Sequence, residues 1–120
     1  MKKKTLDLGA SGNPSRYSNI AINRLVNYGH EVVGVGLRQA TVAGVSIQTG
    51  MPHLDDIDTI TLYLNPQNQR QYYHYILSLS PRRVIFNPGT ENPELYRMLR
   101  EKNIEIDPAC TLVMLATNQY

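Results

Sequence analysis

Apolar residues gather in five short runs, Lys4 to Leu8, Glu31 to Val35, Thr59 to Leu64, Arg83 to Phe86 and Ile104 to Ile106. Each has the length of a strand, and most of the intervals between them carry apolar residues at helical spacing. In the first interval Ala21, Ile22, Leu25 and Val26 form a stripe that Gly29 is placed to end. That helix starts either at Pro14, with Asn13 as its cap, or at Ser18. After Asn65-Pro66, the positions Gln69, Tyr73, Ile76 and Leu77 predict a helix reaching about Leu79, and Pro81 stops it. Asn92-Pro93-Glu94 opens another with a cap, a first-turn proline and a carboxylate that complements the helix dipole; Leu95, Met98 and Leu99 are its buried face.

Strands alternating with helices predict βαβ units, hence a doubly wound α/β domain with a mostly parallel sheet of five strands. Two stretches depart from the alternation. Residues Ala40 to Thr49 alternate in a β-like way where a crossover helix is expected, and are read as an extended excursion. The run Cys110 to Leu115 is apolar throughout; following Asp107-Pro108, it is read as a terminal helix sooner than a sixth strand.

A chain of 120 residues has room for one core, and 42% apolar with 18% charged residues is the composition of a soluble globular domain. No apolar run is long enough for a membrane span, and Met1-Lys2-Lys3-Lys4 leads into a strand instead of a signal-peptide core, so a cytoplasmic protein is expected. The single cysteine, Cys110, has no internal partner, which fits a reducing compartment. His30, His53 and His74 lie far apart and form no metal-ligand pair, so no metal is expected. A net charge of +2 without a basic stripe does not point to nucleic acid.

In an open parallel sheet the ligand lies beyond the carboxyl ends of the strands. The loops there are Gly9 to Ser18, Gly36 to Ala40, Asn65 to Gln69, Asn87 to Asn92 and Asp107 to Thr111. In the first, Gly9-Ala10-Ser11-Gly12-Asn13-Pro14 lets the backbone approach an anion while a helix N-terminus offers its amides; Ser11, Asn13 and Ser18 add side-chain donors. The dinucleotide fingerprint G-x-G-x-x-G is not met, since Ser11 and Pro14 stand at its second and third glycines. At the end of the second strand, Gly34-Val35-Gly36-Leu37-Arg38 lacks the carboxylate that accepts from an NAD ribose. The Arg38 guanidinium suits an additional phosphate, as in NADP or the phosphorylated ribose of coenzyme A.

Three ordered blocks carry a family resemblance: Gly9-Ala10-Ser11 followed by Asn13-Pro14-Ser15-Arg16-Tyr17-Ser18, then Val84 to Asn92, then Cys110 to Leu115. Across nearly its whole length the chain resembles the small stand-alone CoA-binding proteins of Rossmann-like, three-layer α/β/α fold, related to the CoA-binding domain of the succinyl-CoA ligase α subunit. The resemblance implies coenzyme A or an acyl-CoA along the carboxyl edge. It nominates Gly9, Ser11, Asn13, Arg16, Ser18, Arg38, Asn65 and Pro66 near the nucleotide, and Asn87, Pro88, Gly89 and Glu91 toward the pantetheine. Asp7 departs from the aliphatic residue usual in that strand, which requires either a partner or a less buried strand. Leu37-Arg38 replaces the usual Pro-Lys, and the ligase's second domain with its phosphorylated histidine is absent, so the ligase reaction does not carry over.

No catalytic constellation can be assembled, and whether the protein is an enzyme stays open. Cys110 is the one nucleophile to name: a thiol meeting the CoA thiol, or a small buried hydrophobe. Glu91 is either an acid or base, or a cap of its turn. Tyr72, Tyr73 and Tyr75 stack on an adenine or pack on the sheet; helical spacing turns only some inward, leaving others for a dimer or protein contact. The expected role is a carrier, sensor or accessory module, with an NAD(P)-binding oxidoreductase or redox-sensing domain as the alternative.

Overall fold

The first apolar run becomes the centre of the sheet. The computed structural model describes residues 2–120 and runs β1 (Thr5–Ala10), α1 (Tyr17–Asn27), β2 (Val32–Gly36), β3 (Ala40–Val42), β4 (Val45–Gln48), β5 (Thr59–Leu62), α2 (Pro66–Gln69), a 3-10 turn (Arg70–Tyr72), α3 (Tyr73–Leu79), β6 (Arg83–Phe86), α4 (Pro93–Glu101), β7 (Glu105–Asp107) and α5 (Thr111–Ala116). The sheet order is β3-β4-β2-β1-β5-β6-β7, parallel at every pairing except β3 with β4. No helix among the described residues is long and apolar enough to cross a membrane.

The sheet has seven strands where five were expected. All five apolar runs became strands; the other two come from the excursion at residues 40–49, which folds into the β3–β4 hairpin. Its turn, Ala43-Gly44, has φ of 50° and 78° at the two central residues, the sign pattern of the hairpin turn that matches strand twist. Alanine seldom takes that conformation, so the turn carried no strong sequence signal.

Alternation along the strands sorts the two faces. Leu6, Leu8, Ile60, Leu62, Val84 and Phe86 pack against Tyr72, Tyr73, Tyr75, Ile76, Leu95 and Leu99 of the helical segments that follow β5 and β6. On the opposite face Thr5, Asp7, Thr59, Thr61 and Arg83 are buried, and the Thr61 hydroxyl lies 2.8 Å from that of Thr111 at the start of α5. A doubly wound sheet usually presents apolar residues to both layers; here the α1 side sets these buried polar residues beside an apolar cluster of Ala10, Ile22, Val42 and Ile47.

The helix predictions need three corrections. α1 starts at Tyr17, between the two expected starts, because residues 13–16 close a separate turn in which the Arg16 N–H donates to the Asn13 carbonyl at 3.0 Å. The helix expected from Pro66 to Leu79 is divided by the 3-10 turn at Arg70–Tyr72. Tyr72, Tyr73 and Tyr75 are all buried in the core, where only some were expected to turn inward. At its other end α1 stops as expected at Gly29 (φ 85°), where the Gly29 and His30 amides donate to the carbonyls of Val26 and Leu25 at 2.9 and 3.1 Å. The run at residues 110–115 is helical, as α5.

Asp7 meets neither condition set by the sequence. It is fully buried, between Gly34 of β2 and Thr61 of β5 in the ladder, and neither carboxylate oxygen has a hydrogen-bond partner. Burial therefore pushes its pKa well above the ordinary carboxylate range.

Candidate functional site

β1 leaves the sheet through an irregularity between Leu8 and Ala10, with Gly9 at φ 94°. The chain is crowded there. A Cβ on Gly36 would sit 2.1 Å from the Ala10 carbonyl oxygen, and one on Gly12 would sit 2.8 Å from Cβ of Ala40. Glycine at these two positions lets β2 and the start of β3 close against the first turn.

The turn then builds itself from its own polar groups. Ser11 Oγ accepts from the Asn13 N–H at 3.0 Å, and Asn13 Oδ1 accepts from the Ser15 N–H and hydroxyl at 3.0 and 2.8 Å. From α1, Asn19 Nδ2 donates to the Ser11 carbonyl at 2.9 Å. Arg16 is the N-cap of α1, extended and exposed, and its side chain makes no capping bond. The first amides of the helix, Tyr17 and Ser18, have no intrahelical acceptor and gain none from the cap. Ser18 is itself buried. An 11-residue helix thus presents uncapped amides at the carboxyl edge, with the exposed Arg16 at its N-cap, an arrangement suited to phosphate oxygens. Arg38 is exposed in the turn between β2 and β3, beside an exposed Leu37.

The remaining nominees divide between frame and rim. Asn65 Oδ1 accepts from the Asn68 N–H at 2.9 Å, so this side chain caps α2, with Pro66 as first helical residue. Asn87 is buried: Nδ2 donates to Thr61 Oγ1 and the Leu62 carbonyl, and Oδ1 accepts from the Thr111 N–H, each at 2.9 Å. It ties the ends of β5 and β6 to α5 and keeps no free donor for a ligand. Pro88 and Gly89 (φ 94°) form an exposed turn, and Glu91 Oε1 accepts from the Gly89 N–H at 2.9 Å. Cys110 is half-buried at the N-cap of α5, whose six residues offer only a short dipole.

Sequence reading missed the network that sets these rims. Gln69 Nε2 donates to the carbonyls of Leu64 and Thr90 at 2.8 Å each, and its Oε1 accepts from Asn92 Nδ2, also at 2.8 Å. Asn92 Nδ2 donates as well to the Tyr73 hydroxyl, which donates to Glu94 Oε1. One glutamine therefore fixes the loop after β5 to the loop after β6. Its signal was present, as a polar residue at a core-facing helical position. Tyr63, just after β5, was also missed; burial and the nearby Asp7 carboxyl raise its pKa and keep the phenol protonated. Among the described residues no group of three or more His, Cys, Asp or Glu is placed to hold a metal ion.

A hollow of about 510 Å³ adjoins the start of β3 and the end of β4, lined by residues 39–41 and 46–49. A second, of about 540 Å³, lies between α3 and α4 among Arg70, Tyr73, Glu94, Arg97, Met98 and Glu101.

Comparison with known proteins shows the family and the fold. A family model described as CoA binding domain matches residues 3–116. A crystal structure of an uncharacterized protein is 50% identical, with a TM-score of 0.97 over 100% of this chain and 99% of that one. A conserved hypothetical protein from Pyrococcus furiosus is 27% identical, with a TM-score of 0.80 over 94% of this chain and 98% of that one. The fold is also found in a dinucleotide-forming acetyl-coenzyme A synthetase 1 of Ca. Korarchaeum cryptofilum, solved with phosphate and ADP. That protein is 15% identical, with a TM-score of 0.70 over 87% of this chain and 25% of its own. No curated protein gives a significant match.

Proposed function

This chain belongs to the CoA binding domain family, and from that premise we propose that it binds coenzyme A or an acyl-CoA along the carboxyl edge of the sheet, acting as a carrier, sensor or accessory module in the cytoplasm. The observation that carries this reading is the uncapped N-terminus of α1 behind the Gly9–Asn13 turn, with Arg16 beside it. Backbone amides there meet the pyrophosphate, and Gly9, Ser11, Asn13 and Ser18 shape the turn that presents them. Arg38 takes the ribose phosphate. Asn65 and Asn87 hold the loops in place through the protein bonds they already make, while Pro88, Gly89, Glu91 and Cys110 stand toward the pantetheine and its thiol.

Among the described residues no nucleophile is paired with a base in this cleft, and binding is the proposed function, with no chemical step assigned. Thermal unfolding with CoA, acetyl-CoA, NAD and NADPH tests the reading. At 100 times Kd a ligand adds about 2.7 kcal/mol of apparent stability; the CoA compounds should produce that shift and the nicotinamide nucleotides should not. A shift with NADPH and none with CoA would overturn it. Replacing Arg38 by Ala should weaken CoA more than dephospho-CoA, and equal losses would remove Arg38 from its role.

A further inference from the structure

We propose that α5 is a cover over the polar strip of the sheet, latched at its far end by the Tyr120 side chain, and that it opens while the rest of the fold stays closed, letting water reach Asp7 and Arg83.

The strip holds the least satisfied groups of the molecule. Among the described residues three buried side-chain atoms lack a hydrogen-bond partner, both carboxylate oxygens of Asp7 and Nη2 of Arg83. All three belong to the face that α1 and α5 share. α1 lies over β1 and β2, and α5 is tied to β5 and β6 through Thr61 and Asn87. Asp7 pairs with Thr61 across β1 and β5, so it stands at the border between the two helices. The elements around it bring no cation: β2 presents Gly34, β5 the Tyr63 phenol just beyond Thr61, α5 the Cys110 thiol at its N-cap, and the buried positions of α1 and α5 carry no charge. A polar atom kept dry without a partner costs free energy that it recovers on meeting water. Opening over this strip is therefore opposed less than opening over the apolar face.

α5 itself is weakly held. It has six residues and no side-chain cap, and its buried apolar residues, Met114 and Leu115, join neither apolar cluster of the core. A helix this short has no stability of its own. Hydrogen bonds at Thr111 fix one end, and Tyr120 fixes the other. After α5 the chain turns at Asn118 (φ 62°), the Gln119 N–H donating to the Met114 carbonyl at 2.7 Å, and carries the Tyr120 ring to the amino edge of the sheet. There the Arg83 guanidinium lies 4.4 Å from the ring centroid, the His30 ring packs at 4.8 Å, and the Tyr120 hydroxyl meets that of Thr5. Arg83 Nε donates to Thr59 Oγ1 at 2.9 Å, and the π face of Tyr120 is the counterpart of its charge.

Opening lets Asp7 ionise at its ordinary value, so the cover opens more readily as pH rises from 3.8 toward the pKa of the closed state. Native-state hydrogen exchange, read amide by amide and without ligand, tests this. The amides of Met114 and Thr117, which donate to the Cys110 and Val113 carbonyls, should open at least about tenfold more often than those of β1, β5 and β6. Between pH 5 and 8, after correction for intrinsic exchange, the ratio of their opening constants in wild type and Asp7→Asn should rise by up to about tenfold per unit until the closed-state pKa is reached. His30 titrates in both proteins and cancels in that ratio. Tyr120→Leu should raise the opening of α5 by on the order of tenfold, the worth of one cation–π contact and one hydrogen bond. Tyr120→Phe, which drops only the hydroxyl, should raise it by less and serves where Tyr120→Leu does not fold. Exchange of α5 in step with β1 and β5, a wild-type to Asp7→Asn ratio that stays constant with pH, or unchanged protection of α5 in the Tyr120 variants would overturn the proposal.

Discussion

A carboxyl group buried without a partner has a definite thermodynamic signature, and Asp7 supplies the case. In the unfolded chain it ionises near its ordinary value of 3.8; in the folded chain burial raises the pKa well above that. Above pH 3.8 the unfolded state therefore holds fewer protons than the folded state at this site, and stability must fall as pH rises. The contribution of Asp7 is fully present below 3.8 and is lost progressively up to the folded pKa. The slope approaches the limit of about 1.4 kcal/mol per pH unit set by one proton, which is appreciable against the roughly 5–15 kcal/mol that holds a domain together. Asp7→Asn keeps the shape and removes the titration, and Asp7→Val also removes the polar atoms from a site flanked by Gly34 and Thr61. Urea unfolding of wild type and both variants at half-unit steps from pH 4 to pH 8 reads the effect as a stability difference. Both variants should gain on wild type as pH rises, along that slope, until the folded pKa is reached. A difference that stays flat over this range would show that Asp7 is charged or partnered in the folded state, and the account of the polar face would be wrong.

Three further outcomes follow from particular contacts. Asn87→Ala strands the Thr111 N–H and the Leu62 carbonyl; at roughly 1–3 kcal/mol for each buried orphan it should cost about 3 kcal/mol in a urea titration, and a loss below 0.5 kcal/mol would refute its bracing role. Gly36→Ala should cost more than about 3 kcal/mol because its Cβ has only backbone to displace, whereas Gly50→Ala, at φ 74° in open space, should cost about 1 kcal/mol; comparable melting temperatures for the two variants would contradict the close approach of β1 and β2. His30 Nδ1 accepts from the Lys3 N–H at 2.9 Å, and burial, then Lys3, lowers its pKa from 6.5. The unfolded chain takes that proton first, so this contribution is lost as pH falls from 6.5 through the folded value; His30→Asn should flatten the acid limb of the stability profile, and an unchanged limb would exclude His30 as its source.

The five apolar runs were legible as strands because each alternates or is continuously apolar between turn residues, as Thr59-Ile60-Thr61-Leu62 and Arg83-Val84-Ile85-Phe86 illustrate. The β3–β4 hairpin was legible as extended chain only, since Ala43 replaces the asparagine or glycine that ordinarily announces such a turn. At the candidate site, Gly9 to Asn13 was legible as a tight turn because glycine and serine between a strand and a helix have a mechanical reason to be there. The division of labour among asparagines was not. Asn13, Asn65, Asn87 and Asn92 all stand next to proline, yet one shapes the first turn, two cap helices and one braces three elements from the core. Which task an amide performs depends on what the fold brings within 3 Å of it, and local sequence carries no record of that.

The central claim is that the ligand's phosphates meet the turn at Gly9 and the N-terminus of α1. Titrating the isotopically labelled protein with CoA and following every backbone amide by NMR tests it most directly. The amides of Gly9 to Ser18 should show the largest, saturable shifts, with Arg38 and its neighbours next and the hollow between α3 and α4 unmoved. Shifts centred on Arg70, Glu94 and Arg97, with residues 9–18 unchanged, would contradict it.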